Sequence, residues 1–359
     1  MPPLPQSPLR VLIVDDVRVN RQLLQLLLDQ AKGFEIVGYA TDGVEAVQKA
    51  AQLRPDLITM DIEMPRTNGV EAIRQIMSNT PVPIVVVSSY VNHLAMNVTF
   101  DALHAGALDV VQKPELVTLT KDARACERFI ETLRAMASVK VIKHRARRAA
   151  APVIRIHPRR IRDLELVAIG ASAGGPLALA TILGALPADF SLPVVITQHM
   201  IKGFIVGATQ WLDALCQLTV KVATHGQPLH AGAVYFAPDD GHLRISRAPD
   251  NTLVAQIGDD AAIGGFRPSI TALLESAART CGARAVGGIL TGMGHDGDQG
   301  LLAMRQAGAL TFAQDKNSSM IFGMPKAAID AGAARHTLAL DKIAAFLCNP
   351  ENATADSRP

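Results

Sequence analysis

One pattern recurs along the chain: a short apolar run that ends in polar residues, then a stretch whose apolar positions repeat at helical spacing. Arg10 to Val14 is such a run and meets Asp15-Asp16, and Val17 to Gln30 follows with leucines at helical spacing. Phe34 to Ala40 predicts a second strand and Gly43 to Leu53 a second helix. Leu57 to Met60 predicts a third strand ending at Asp61, Ile84 to Val87 a fourth ending at Ser88, and Asp109 to Val111 a weaker fifth just before Lys113-Pro114. The pattern resumes at Leu166 to Ile169, which runs into a small-residue turn around Ser172 and a helix over Gly174 to Leu186. Pro193 to Thr197 is apolar and ends in Gln198-His199-Met200; Ala285 to Leu290 ends in Thr291-Gly292-Met293-Gly294-His295-Asp296-Gly297. Strands alternating with helices predict α/β units with parallel sheets, where functional groups gather at the carboxyl ends of the strands.

That rule turns the strand ends into candidates. Asp15, Asp16, Asp61, Ser88 and Lys113 all fall at predicted carboxyl ends in the first half. Three crowded carboxylates repel one another unless a cation sits among them, and hard oxygen ligands open to phosphate point to Mg²⁺. A lysine and a hydroxyl would then hold the oxygens of a phosphoryl group carried by one aspartate. Taken singly, each residue is also explained as a polar strand end capping a helix. The whole set is poorly explained that way.

In the second half, Gly170, Ser172 and Gly174 fit G-x-S-x-G, the turn that lifts a serine hydroxyl off a strand end. The same glycines would let the backbone approach a phosphate, and Ser172 would also serve as a helix N-cap. Ser172, His199 and Asp296 stand at three predicted strand ends; at the carboxyl ends of one parallel sheet they could converge in a single crevice, where the serine would attack a carbonyl, the histidine would move the proton and the aspartate would fix the histidine tautomer. Glycines around Ser172 and Asp296 leave backbone N–H groups for a developing oxyanion. His225, His230 and His242 compete with His199, and Asp298 and His295 with Asp296. The order Ser–His–Asp differs from the Ser–Asp–His order of α/β-hydrolases, so that fold is not implied.

Composition narrows the class. A length of 359 residues suggests two domains, and 49% hydrophobic against 19% charged residues suits compact folding. With only 4% aromatic residues, the cores must be built from Ala, Val, Leu and Ile. A net charge of +2 and the lack of a groove-reading or stacking module argue against nucleic acid as the partner. The proline-rich start, Met1 to Pro8, has no signal-like apolar core, and no stretch is long and apolar enough for membrane insertion. Cys126, Cys216, Cys281 and Cys348 are far apart and mostly within apolar patterns, as expected of reduced cysteines in a cytoplasmic protein. Between Lys140 and Arg162, lysines and arginines cluster among alanines and prolines without a balancing carboxylate, which predicts a solvated linker between the halves.

Residues 9–137 resemble a response-regulator receiver domain, on the Asp61-Ile62-Glu63-Met64-Pro65 string and the Lys113-Pro114 pair, usually a cis bond in that family. The resemblance implies a flavodoxin-like fold with Asp61 as phosphoacceptor. It also implies Mg²⁺ held by Asp15, Asp16, Asp61 and the backbone carbonyl of Glu63, with Ser88 and Lys113 on the phosphoryl group. Val110 stands where an aromatic switch residue is frequent, which puts the usual relay in doubt. Residues 163–348 resemble the catalytic domain of CheB-type chemotaxis protein-glutamate methylesterases. The matching strings are Gly170 to Gly175, Gln198-His199-Met200, Phe266-Arg267-Pro268-Ser269, Gly292 to Gly297 and Phe322-Gly323-Met324-Pro325. This implies a doubly wound parallel sheet, with Ser172 as nucleophile, His199 as base, Asp296 as its orienting acid, Met293 lining the site, and no cofactor in this half. Ala173 replaces a frequent threonine and Asp239 a usual glycine. Tails over 1–8 and 349–359 and a linker over 138–162 complete the expected division. The implied activity is hydrolysis of glutamyl methyl esters, and deamidation of glutamines, on methyl-accepting chemoreceptors. The resemblance further implies a histidine kinase as phosphodonor and an unphosphorylated receiver that partly covers the catalytic crevice, and a cytoplasmic monomer is the simplest expectation.

Overall fold

The computed structural model describes residues 7–64, 68–88, 93–113, 123–139, 141 and 164–350, with side chains omitted for 93–97 and 123–124. The N-terminal tail through residue 6, Pro65, the Lys113-Pro114 bond, nearly all of the basic linker and the tail beyond residue 350 lie outside the described residues. The chain forms two compact units, Met1–Ala149 and Ala150–Pro359.

In the first unit, strands β1 (Leu9–Val14), β2 (Phe34–Ala40), β3 (Leu57–Met60), β4 (Ile84–Ser88) and β5 (Asp109–Gln112) alternate with helices α1 (Arg18–Gln30), α2 (Gly43–Leu53), α3 (Gly69–Asn79) and α4 (His93–Ala105). Helix α5 (Ala123–Ala137) ends the unit's described structure apart from a few residues. The sheet is parallel in the order β2-β1-β3-β4-β5. Val11 to Val14, Leu57, Ile58, Met60 and Ile84 to Val87 are all buried, because helices cover both faces and leave these strands no wet side. Strand order reverses at β1, so its carboxyl end and that of β3 border the crevice where parallel sheets bind ligands.

The second unit repeats this logic on a larger sheet. Its strands are β6 (Leu166–Ala171), β7 (Val194–Gln198), β8 (Thr219–Val222), β9 (Ala233–Phe236), β12 (Ala285–Ile289), β13 (Leu310–Gln314) and β14 (His336–Leu338), ordered β14-β13-β12-β6-β7-β9-β8 and all parallel. An antiparallel hairpin, β10 (His242–Arg247) with β11 (Leu253–Gly258), stands apart from it. Helices α6 (Gly175–Ala185), α7 (Ile205–Leu215) and α11 (Leu340–Cys348) pack on one face of the sheet. Helices α8 (Ile270–Cys281), α9 (Asp298–Gln306) and α10 (Met324–Asp330) pack with the hairpin on the other. Alanine, valine, leucine and isoleucine make up most of both cores, and each fully buried large apolar side chain contributes roughly 1.5–3 kcal/mol.

The hydrophobic pattern locates β2 and the strands that lead to the candidate residues and misses the others. Strands β8, β9, β13 and β14 and the hairpin lie outside the elements that the sequence pattern predicts. Helix α6 begins at Gly175, one residue later than predicted, because Gly174 has φ 73°, a left-handed conformation outside the helix. All four cysteines are free, and burial pushes the Cys216, Cys281 and Cys348 thiols up to about 11, which keeps them protonated. No helix among the described residues is long and apolar enough to cross a membrane.

Candidate active site

Strand β6 is the first strand of its unit and pairs with β7 on one side and β12 on the other, so strand order reverses around it. Ser172 follows it directly. Its N–H donates to Thr291 O at 3.0 Å, and Gly175 N–H donates back to Ser172 O at 2.7 Å, closing a tight turn. The turn tolerates no extra atoms: a Cβ on Gly292 would lie 2.7 Å from the Ser172 Cβ, and one on Gly174 would lie 2.8 Å from Met320. Gly174 occupies the N-cap of α6 without a side-chain bond, and the Ser172 hydroxyl makes no hydrogen bond among the described residues. The N-cap reading of Ser172 is therefore corrected: the hydroxyl is free for chemistry.

His199 follows β7 as Ser172 follows β6, one step beyond the paired Ala171 and Gln198. Its N–H donates to Ala171 O at 2.9 Å, and the Gln198 amide bridges Ser172 O at 2.8 Å and His199 O at 2.7 Å. Two supports hold the imidazole. The Phe266 ring lies flat on it, 4.3 Å between centroids and 1° between planes. Asp296 Oδ2 stands 2.9 Å from Nε2, an ion-pair distance outside hydrogen-bond geometry. The other ring nitrogen, Nδ1, is buried and has no partner among the described residues.

Asp296 is a buried carboxylate surrounded by donors. Oδ1 accepts from Ser269 Oγ at 3.0 Å, Thr271 N at 3.1 Å and Thr271 Oγ1 at 2.7 Å, while Oδ2 accepts from Ile270 N at 2.8 Å. These groups form the N-terminus of α8, where free N–H groups and the helix dipole favour negative charge. Burial by itself would raise the Asp296 carboxyl; the His199 ring, Thr271 hydroxyl and Ile270 N–H outweigh it and bring it down to about 2.

The competing residues are placed elsewhere. Asp298 opens α9 beside the exposed His295, 3.9 Å from its Nδ1. His225 is exposed on the backbone of Ile257, His230 is exposed, and His242 is buried with both ring nitrogens on backbone groups. Met293 is half-buried next to the serine-facing Gly292. Ala173 is nearly buried; its carbonyl accepts from Thr291 Oγ1 at 3.0 Å, and its N–H has no partner among the described residues. Asp239 Oδ2 accepts from Gly203 N at 2.8 Å, so it ties down the loop that follows His199. The sequence motifs give Phe266, Ser269, Thr271 and Gln198 no individual role. Ser269 carries the one visible signal among them, a serine before an apolar helical stretch.

In the first unit, Asp15 and Asp61 are buried at the ends of β1 and β3, Asp16 is half-buried, and ligand oxygens of all three lie within 4.8 Å of one another. Lys113 pairs with Asp61 and, at 2.9 Å, with Asp15 Oδ2, while its N–H donates to Ser88 O at 2.7 Å. Burial would lower the Lys113 ammonium, but the two carboxylates outweigh it and hold it above its usual value. Ser88 is buried at the end of β4, and Glu63 N donates to Asp61 Oδ1 at 3.1 Å. An all-oxygen set of three clustered carboxylates, two of them buried, fits a hard divalent cation such as Mg²⁺. Val110 is half-buried in β5.

The receiver-domain profile of response regulators matches residues 11–123, and the CheB methylesterase profile matches residues 167–347. The chain belongs to the CheB methylesterase family. Two CheB-type relatives carry the name protein-glutamate methylesterase/protein-glutamine glutaminase 4. One, from Geobacter metallireducens, is 44% identical over 94% of this chain and 97% of its own length; the other, from Myxococcus xanthus, is 42% identical over 95% and 96%. The crystal structure of the Thermotoga maritima CheB methylesterase catalytic domain aligns with a TM-score of 0.51 at 36% identity, covering 52% of this chain and 98% of that domain. The CheB fold and its pairing with a receiver are those expected from the motifs.

The low value for Asp296 has a measurable consequence. Its carboxyl is depressed from the ordinary 3.8 to about 2, so its ionised form stabilises the fold by about 2 kcal/mol above pH 4, and that contribution is lost as pH falls from about 4 to about 2. Trp211 is the chain's single tryptophan and lies in α7, so its fluorescence follows the catalytic unit alone. Urea unfolding followed at Trp211 will show the advantage of the natural chain over Asp296→Asn shrinking across that window. A gap independent of pH contradicts the assignment.

Proposed function

We propose that the chain is a serine esterase that removes methyl esters from glutamate side chains of methyl-accepting chemoreceptors and deamidates receptor glutamines, under control of phosphorylation at Asp61. The observation that carries this reading is the serine turn at the point where strand order reverses, beside a histidine whose far nitrogen meets a buried carboxylate at 2.9 Å.

Ser172 Oγ attacks the ester carbonyl while His199 takes its proton at Nδ1, the nitrogen turned away from Asp296. Asp296 stays ionised throughout and stabilises the imidazolium at Nε2. The Ala173 N–H, next after the nucleophile and without a partner, is available to the tetrahedral oxyanion. The threonine hydroxyl frequent at this position is absent here, so backbone alone supplies that donor. Collapse expels methanol, which takes the proton from His199. Water then gives its proton to His199 as it attacks the acyl-serine, and the glutamate carboxylate is released as Ser172 recovers the proton. With a glutamine side chain the same first step releases ammonia. Met293 lines the site.

In the receiver unit, the Asp61 carboxylate takes the phosphoryl group from a histidine kinase, and Ser88 and Lys113 hold its oxygens. Asp15, Asp16, Asp61 and the Glu63 carbonyl would hold Mg²⁺, which supplies neutralisation of phosphoryl charge. One chain carries every group needed, which makes a monomer sufficient. The receptor helices that bear the substrate side chains place the enzyme in the cytoplasm. The receiver ends near residue 137 and the catalytic domain spans 163–348, joined by the basic linker.

Ser172→Ala will release methanol from methylated chemoreceptors at least about 10³-fold more slowly than the natural chain, by the cost of losing a triad nucleophile. Near-natural release from that variant rules out the serine mechanism. Asp61→Asn will keep basal methanol release and lose its stimulation by a small-molecule phosphodonor. Stimulation that persists in Asp61→Asn shows that control does not run through this residue.

A further inference from the structure

His242 is the most deeply buried of the competing histidines, fully removed from solvent at the start of β10. Both of its ring nitrogens bond to backbone. Nδ1 takes the Ser269 N–H at 3.1 Å, and Nε2 lies 3.1 Å from Ala261 O. Only an unprotonated nitrogen accepts from a backbone N–H, so the proton sits on Nε2 and is donated to Ala261. The tautomer is fixed from both sides.

These two bonds reach the two supports of the His199 ring. Ser269 gives its N–H to His242 and its hydroxyl to Asp296 Oδ1, and it caps α8, whose first N–H groups hold the same carboxylate. Ala261 lies in the loop that turns at Gly264-Gly265 and is closed by reciprocal Ile263–Phe266 bonds of 3.0 Å. Phe266 is the ring stacked on His199. One imidazole thus joins the segment that carries the aspartate arm to the segment that carries the aromatic arm. A side chain needed only to fill space would serve without polar atoms, and here both nitrogens are used.

We propose that His242 is a positioning residue of the esterase: by joining Ser269 to Ala261 it sets Asp296 and Phe266 in register and thereby orients His199. Its kinetic consequence rests on the esterase reading above, whereas its structural consequence does not. His242→Asn keeps an acceptor in place of Nδ1, His242→Gln keeps a donor in place of Nε2, and His242→Ala keeps neither.

The test uses the full chain and reads two quantities: kcat and KM for methanol release from methylated chemoreceptor, and the ¹⁵N resonances of the His199 ring without substrate. In His242→Ala, kcat falls about 10- to 100-fold with KM within about twofold, because a misplaced base weakens the transition state more than substrate binding. The His199 resonances shift with it, and the Asn and Gln variants fall between. Natural kcat in His242→Ala overturns the proposal, as does a lowered kcat with unshifted His199 resonances. If His242→Ala does not fold, the two amide variants decide by the same readings. A natural chain that releases no methanol defeats the esterase reading, while the His199 resonances still test the positioning.

Discussion

A negative charge buried at the start of a helix is the constraint on which the rest of the catalytic unit depends. Asp296 is 8% exposed, and an isolated carboxylate at that depth would be strongly disfavoured. It remains ionised because the first turn of α8 supplies backbone N–H groups and two hydroxyls, and because His199 stands at ion-pair distance. Hydrogen bonds to a charged group are each worth about 1.5–3 kcal/mol, enough together to offset the desolvation. The same bonds consume the donors that α8 would otherwise leave unsatisfied. Helix start, loop after β12 and histidine after β7 are therefore fixed by one another.

The two units solve one problem in the same way. Each gathers its candidate groups just past strands that border the point where sheet order reverses, with helices drawn to opposite faces and a crevice left between. In the first, the crevice gathers carboxylates and a lysine, which suits a phosphoryl group and a hard cation. In the second, it gathers a serine, an imidazole and a single well-satisfied carboxylate, which suits acyl transfer. The difference in chemistry lies in which polar residues follow the strands, and the architecture beneath them is shared.

That sharing explains what was legible in the sequence. A strand buried on both faces appears as an unbroken apolar run, so β1, β3, β4, β6, β7 and β12 and the residues after them stand out. Asp15, Asp61, Lys113, Ser172 and His199 directly follow their strands and Asp296 lies in the loop after β12, so all six are legible from the apolar runs that precede them. The edge strands β8 and β14 are short and partly exposed and lack that signature. Whether Ser172 capped a helix depended on the φ of Gly174, which no periodicity encodes. Ser269, Thr271, Phe266 and His242 make their contacts between residues 19 or more positions apart, and local pattern carries no trace of such pairings.

The central claim is that Ser172 is a nucleophile activated by His199. Treating the full chain with a serine-directed fluorophosphonate and mapping the adduct by peptide mass spectrometry tests it most directly. The account predicts covalent modification at Ser172. A chain that resists the reagent, or one modified at another residue in place of Ser172, contradicts it.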